Sequence, residues 1–363
     1  MQNIFDSLST SFPQINFSEN HSLAPYTTVK IGGPAEVFCE VRVQQDFIEL
    51  VQFAIKNNIQ FTILGSGANT LISDKGIRGL VVRNLAGEVR VIDENYDSKP
   101  ISVKKPLEIK ARWQADEESG TFKYDFKDLD YDERDQDRVL VEIDAGVFLN
   151  TAIFQLLDEG ITGLQWYARI PSTIGGAVFN NLHGGTHFIS EVLESVKVID
   201  LEGEILELNA EELKLGYDES RFHSSGEIII SAKFNLFRGD AQRAKQVIQR
   251  WSARKSLQPQ NSLGCVFANI SNKDRERLGY PTTSVGYIVE HVLKLKGFGI
   301  RAAVISDKHC AFIENKGQAT ASDYFTVIKK IIKETKEKTG LTLRPEISFL
   351  GFEKSELESI LNS

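Results

Sequence analysis

Leu64-Gly-Ser-Gly-Ala-Asn-Thr-Leu71 and Ile170-Pro-Ser-Thr-Ile-Gly-Gly-Ala-Val178 are two nearly uncharged glycine loops, each following an apolar or aromatic run. Without a Cβ, glycine lets backbone N–H groups close on a bulky anion such as a pyrophosphate. One such loop is compatible with an ordinary turn. Two, about a hundred residues apart, point to a nucleotide held from both sides. The first loop carries no Lys-Ser/Thr after its glycines, so it is not a Walker loop. Thr70 stands where a dinucleotide fingerprint needs its third glycine, which removes the Rossmann assignment too. A phosphate-cradling loop of another fold is left, and a lone glycine loop is weak evidence for that.

The elements around these loops alternate between helical and strand periods. Gln44 to Asn58 carries Phe47, Leu50, Val51, Ala54 and Ile55 at the spacing of a one-sided helix, and Phe61 to Leu64 reads as the strand entering the first loop. Leu80 to Val82 and Val139 to Ile143 read as strands. Leu149 to Leu157 reads as a helix with Ile153, Phe154 and Leu157 on one side. Val196 to Ile199 and Glu204 to Leu208 flank a turn and predict a hairpin, followed by a strand over Glu227 to Phe237. Ala241 to Lys255 is amphipathic through Ala244, Val247, Ile248 and Trp251, and is expected to lead into a C-terminal domain. There, Val285 to Leu293 and Ser322 to Lys338 read as helices, the second capped by Ser322 or Thr320, and Ala302 to Ile305 as a strand. The pattern is α+β organised around a nucleotide.

Composition narrows the class. The 363 residues suffice for two or three cores, and 41% hydrophobic with 25% charged residues is ordinary for a globular protein. A net charge of −8 argues against a nucleic-acid partner. Asp93 to Arg138 holds 14 acidic and 9 basic residues, and with it −5 of that charge, so it reads as a solvated insertion. No run approaches the ~20 apolar residues of a membrane span, and the first residues lack a signal-peptide pattern. Cys39, Cys265 and Cys310 are odd in number and scattered, unlike a disulfide framework or zinc ribbon. A cytoplasmic protein with reduced thiols is expected.

Three groups have chemistry to offer. His183 and His187 flank Gly-Gly-Thr and read as a polar loop beside a cofactor rather than as metal ligands. Cys265, in Ser262-Leu-Gly-Cys-Val-Phe-Ala-Asn269, is either an inert buried thiol or a proton donor, far better than a serine hydroxyl at pKa ~8.5. Glu346, in Leu343-Arg-Pro-Glu-Ile-Ser-Phe349, is either an edge-strand carboxylate facing water or a buried one with a catalytic task.

Together the segments resemble the UDP-N-acetylenolpyruvoylglucosamine reductase family of flavoenzymes. The matches run in order through Tyr26 to Ala35, Leu64 to Asn69 with Asp74 to Gly79, and Gly163 to Trp166 with Ile170 to Val178. They continue through Gly216 to Phe222, Gly264 to Asn269, Lys308-His309 with Phe312 to Asn315, and Leu343 to Gly351. Seven motifs in the right order cover nearly all of the chain outside Asp93 to Arg138. The resemblance implies a two-lobed FAD-binding region of the vanillyl-alcohol-oxidase/PCMH type, lobes 1–84 and 85–240, and a smaller α+β substrate domain, 241–363, with a returning C-terminal segment. It implies NADPH as reductant, a UDP-sugar as substrate, no membrane or metal, and a monomer. Enolpyruvyl-UDP-N-acetylglucosamine becomes UDP-N-acetylmuramate, hydride arriving at the vinyl carbon and a proton at its neighbour, with charge developing on the substrate carboxylate.

By position the resemblance puts FAD against Thr28, Gly65, Ser66, Gly67, Ala68, Asn69, Thr70 and Leu71, and against Pro171, Ser172, Thr173, Ile174, Gly175, Gly176, Ala177 and Asn181. Cys265 takes the place of a proton-donating serine, Glu346 of a glutamate serving the intermediate, and Tyr217 of the tyrosine in a Tyr-Arg pair. Asn269 and Lys255 fall on substrate-binding positions. Departures are concentrated: Asn181-Leu-His-Gly-Gly-Thr186 replaces Asn-x-Gly-Ala-Tyr-Gly, and Asp218 stands at the catalytic arginine. A glutamate of the family has become Arg344. These two changes are either independent or a reciprocal exchange, in which Arg344 pairs with Asp218 or supplies the guanidinium, with Arg221 its competitor. A flavoprotein of the same fold with another substrate, or an impaired FAD- or UDP-sugar-binding homologue, are the alternatives.

Overall fold

The computed structural model describes residues 4–97, 131–185 and 187–361. Strands β1 (Phe17–Ser22), β2 (Pro34–Val41), β3 (Phe61–Leu64) and β5 (Ile77–Asn84) form one sheet in the order β1-β2-β5-β3, with β4 (Thr70–Ile72) outside it. β2 and β3 each run parallel to β5. Parallel strands need a crossover, and the helix Gln44–Lys56 supplies it between β2 and β3. Its Phe47, Leu50, Val51 and Ala54 are buried against Val37, Cys39, Leu80 and Val82 of the sheet.

The second sheet is antiparallel throughout. β6 (Val89–Asp93), β7 (Arg138–Asp144), β10 (Leu193–Ile199), β11 (Ile205–Asn209) and β12 (Ile228–Phe237) lie in the order β11-β10-β12-β7-β6. A two-residue pair, β8 (His183–Gly184) and β9 (His187–Phe188), precedes β10. Because β6 pairs with β7, the acidic stretch connects two neighbouring strands. Residues 98–130, with the run Asp116-Glu-Glu118, lie outside the described residues, as does Thr186. At the far end of the stretch Asp132, Arg134, Asp135, Gln136 and Asp137 are exposed, as the charge suggested, but one carboxylate is not. Glu133 is 7% exposed and accepts hydrogen bonds from Thr162 Oγ1 and Gln165 Nε2, and burial raises its carboxyl pKa.

Two expectations about helices change. Helix Leu149–Asp158 buries Ala152, Ile153, Leu156 and Leu157, but Phe154 is 45% exposed, since it sits about 100° around the helix from Ile153. Helix Ala241–Lys255 does not open the C-terminal domain: Ala244, Val247 and Ile248 complete the core beneath the second sheet. By packing, the boundary therefore falls after Lys255 rather than at 241.

The C-terminal part is a meander of β13 (Gly299–Ile300), β14 (Ala303–Ile305) and β15 (Ile313–Asn315) under the helix Ala321–Thr339. Thr320 Oγ1 accepts from Asp323 N and the Asp323 carboxylate from Thr320 N, a reciprocal cap. The expected helix Val285 to Leu293 keeps only a first α turn, then becomes π-helical over Ile288–Val292. Val285, Ile288, Val289 and Leu293 are buried either way, so apolar spacing does not separate the two turns. Finally β16 (Ser348–Leu350) runs parallel to β4, with Ser348 opposite Thr70. The chain end thus returns to the strand leaving the first glycine loop. Among the described residues no helix is long and apolar enough to cross a membrane.

Candidate active site

The two glycine loops meet. Ser66 Oγ donates to Pro171 O at 2.7 Å, and a Cβ on Gly65 would stand 2.8 Å from Thr173 Oγ1. Gly67, at φ +62°, closes on Tyr26, whose carbonyl oxygen would lie 2.2 Å from a Cβ there. These glycines are required by the approach of protein segments to one another, before any ligand is considered.

The loops differ in what they leave for a ligand. Among the described residues no protein acceptor engages the backbone N–H groups of Ser66, Gly67, Ala68 or Asn69. In the second loop Ser172 N donates to Ile170 O, Ile174 N to Val147 O, Gly175 N to Ala145 O, Gly176 N to Thr173 Oγ1 and Ala177 N to Thr173 O. The expectation of a backbone cradle from both loops is therefore corrected. The first loop leaves four successive amides for a ligand such as a pyrophosphate, whereas five amides of the second, which opens the helix Ile174–Phe179, are engaged within the protein.

The first loop also carries the C-terminal chemistry. Thr28 N donates to Gly67 O, and the Thr28 hydroxyl donates to Ser262 O at 2.7 Å, three residues before Cys265. Thr28 thus ties the loop to the Cys265 segment. Asn69 Nδ2 donates to Glu346 O at 3.0 Å, and Asn69 O accepts from Ser348 N. The Cys265 and Glu346 segments are joined antiparallel: Glu346 N donates to Val266 O, and Ala268 N to Arg344 O. Cys265 is exposed, following Gly264 at φ +81° with open space where a Cβ would be. The inert-buried-thiol reading is thereby excluded. Glu346 is half-buried.

Comparison with known proteins agrees with this convergence. Residues 257–350 match the model of the UDP-N-acetylenolpyruvoylglucosamine reductase C-terminal domain, and residues 118–209 that of an FAD binding domain. A UDP-N-acetylenolpyruvoylglucosamine reductase of Streptococcus thermophilus is 30% identical, across 96% of this chain and 98% of that one. The chain belongs to the UDP-N-acetylenolpyruvoylglucosamine reductase family. A Lachnoclostridium phytofermentans reductase is 29% identical over 92% of each chain. The crystal structure of the Thermus caldophilus reductase shares the fold, with a TM-score of 0.63 at 23% identity over 93% of this chain and 98% of that one.

Several positions of this reductase differ from the sequence reading. The pairing of Arg344 with Asp218 is not seen: Asp218 Oδ1 lies 3.4 Å from His183 Nδ1, while Arg344 is exposed, and no ion pair joins it to Asp218 among the described residues. Arg221 is not available as the replacement guanidinium, because it bonds Glu227 at 2.9 Å and Glu212 O at 3.2 Å. Asn181, 2% exposed, turns its amide inward. Nδ2 donates to Gly216 O and Oδ1 accepts from Ser190 N, so it clamps two loops. Asn269 Oδ1 accepts from Val285 N and steadies the helix start there. Lys255 stands at the end of its helix with Nζ 5.4 Å from the Trp251 ring centre.

The two histidines go to separate partners. His187 Nδ1 bonds Glu191 at 3.0 Å and its ring stacks on Trp166, whereas His183 joins Asp218 and Tyr217. No metal-binding cluster forms among the described residues. The His183–Asp218 pair is the site feature that sequence reasoning missed. Its signal was present in the Asn181-to-Thr186 departure, but those histidines were read as a polar loop beside the cofactor, with no carboxylate partner assigned to His183.

Proposed function

We propose that this chain is an FAD-dependent reductase that converts enolpyruvyl-UDP-N-acetylglucosamine to UDP-N-acetylmuramate for peptidoglycan synthesis, with NADPH as reductant. The observation that carries it is one knot of hydrogen bonds. The loop with open amides at Ser66 to Asn69 is bonded directly to the Glu346 segment, which is in turn bonded to the Cys265 segment. A pyrophosphate on those amides puts the dinucleotide next to a thiol and a carboxylate, which is what a hydride and proton addition requires.

The open amides and the closely packed Gly65 and Gly67 suit an FAD pyrophosphate, with Pro171 to Ala177 as the facing wall. Held there, FAD would supply the hydride transfer from NADPH to the terminal vinyl carbon. Cys265 donates the proton to the adjacent carbon, so that the vinyl ether becomes a lactyl ether and a thiolate is left to be reprotonated by water. Glu346 stands across the paired strands and assists that transfer. Tyr217, Lys255 and Asn269 orient the UDP-sugar, and Arg344, exposed on the same segment as Glu346, is available to its anionic part. In this reading the enzyme acts in the cytoplasm as a monomer, upstream of wall assembly, cell shape and division.

The test is direct. The purified protein should be yellow with a flavin spectrum, and its NADPH oxidation should accelerate only when enolpyruvyl-UDP-N-acetylglucosamine is added. NADPH oxidation indifferent to that sugar would transfer the protein to another flavoprotein activity, and a colourless protein that does not take up FAD would end the flavoenzyme reading.

A further inference from the structure

We propose that His183, held by Asp218, is a hydrogen-bond donor to the carboxylate of the enolpyruvyl substrate. The inference deepens the reductase reading and rests on it. Asp218 by itself would repel an oxyanion beside Tyr217. It is instead turned to His183, with 3.4 Å between Oδ1 and Nδ1. That contact turns Nδ1 to the aspartate and leaves Nε2 as the outward nitrogen, which donates a hydrogen bond when the ring carries a proton on both nitrogens.

The pair is built into the fold. Asp218 sits at φ +48°, a left-handed position that aspartate tolerates, in the turn closed by Gly216 N and Glu219 O at 2.8 Å. The buried Asn181 amide bonds Gly216 O at 2.7 Å and Ser190 N at 3.2 Å, which locks the His183 loop to the Asp218 turn. The rings of Tyr217 and Phe188 lie 5.2 and 5.5 Å from that of His183, and the imidazole is 30% exposed. It is thus walled by aromatics but open to a ligand. The helix Ile174–Phe179 separates this clamp from Thr173, where the glycine loops touch. Six helical residues span about 9 Å, within the length of a sugar nucleotide.

When hydride reaches the vinyl carbon, charge moves onto the substrate carboxylate. A donor between apolar walls is worth more to that state than to the ground state, and Asp218 holds the ring that supplies it. No bond to His183 forms or breaks. A pyrophosphate oxygen of UDP would suit the same donor, and the experiment separates the two.

Reduced holoenzyme is mixed anaerobically with enolpyruvyl-UDP-N-acetylglucosamine, and flavin reoxidation is followed in wild type, His183→Gln and Asp218→Asn. UDP binding is measured alongside. The expected result for His183→Gln is a reoxidation rate lower by about 100-fold. Flavin content, reduction by NADPH and the Kd for UDP should stay within about twofold. Asp218→Asn, a positioning change, should slow the same half-reaction by less. Reoxidation of His183→Gln near the wild-type rate overturns the proposal. So does a loss of UDP affinity that matches the loss of rate, which would place the histidine on the pyrophosphate. If His183→Gln does not keep its flavin, His183→Asn and Asp218→Asn are read by the same criteria. Wild-type enzyme that the sugar fails to reoxidise overturns the reductase reading itself, and the inference with it.

Discussion

The Ser66 hydroxyl donates to the Pro171 carbonyl at 2.7 Å and joins two loops that lie 105 residues apart in the chain. Gly65 and Thr173 meet at the same junction. The wall and the open amides of the proposed cofactor site are therefore set by one contact between two residues of different lobes.

Gly65→Ala should loosen that junction. The added Cβ meets Thr173 Oγ1, which is itself engaged at Gly176 N, so the loops must separate. Overpacking of this kind costs about 1–3 kcal/mol, and fluorescence titration of apoprotein with FAD should show binding weaker by about tenfold or more. Ser66→Ala, which removes one hydrogen bond of about 1 kcal/mol, should weaken it by only about fivefold. Wild-type FAD affinity in Gly65→Ala would show that closure of the loops does not matter.

Cys265→Ala should separate the two half-reactions. Reduction of the flavin by NADPH should persist, while reoxidation by the enolpyruvyl sugar drops by about 10²–10⁴-fold, the range for loss of a general acid. Cys265→Ser should recover part of that loss. Stopped-flow absorbance of the flavin measures both steps, and equal loss in the two would argue against a proton-donor role.

Arg344 and Asp218 should behave independently. Since Asp218 faces His183 and no ion pair joins it to Arg344, the double-mutant cycle of Arg344→Ala and Asp218→Ala in oxidative half-reaction rates should be additive within about 0.5 kcal/mol. A larger coupling would restore the reciprocal charge exchange read from the sequence.

Glu133 should leave a pH signature on stability. Burial raises its carboxyl above the ordinary 4.5, so from that value upward the native state holds a proton that the unfolded chain has released. More protons bound in the native state means that stability contributed here falls as pH rises through this window. Thermal melts from pH 4.5 to 8 should show that decline in wild type and a shallower one in Glu133→Gln. Identical slopes would show that the carboxyl is not perturbed.

The sequence by itself determined the elements and the chemistry to look for. The crossover helix Gln44–Lys56 and the capped helix Ala321–Thr339 follow from local periodicity, because each buries one face, and the strand Phe61–Leu64 from its short apolar run. The glycine loops, Cys265 and Glu346 could be chosen because their residue types are unusual in their settings. Partnership was decided only by tertiary structure. Whether the amides of a glycine loop are open or occupied depends on segments remote in the chain, such as Ala145 and Val147, whose carbonyls take up two amides of the second loop. Glu133 reads as one more charge in an acidic run, yet it is buried against Thr162 and Gln165. The partner of Asp218 was sought in Arg344, where the motif had also changed, and is His183, because Asn181 clamps their two loops together. Charge pairing depends on distance across the fold, and a chain read in one dimension carries local periods but not that distance.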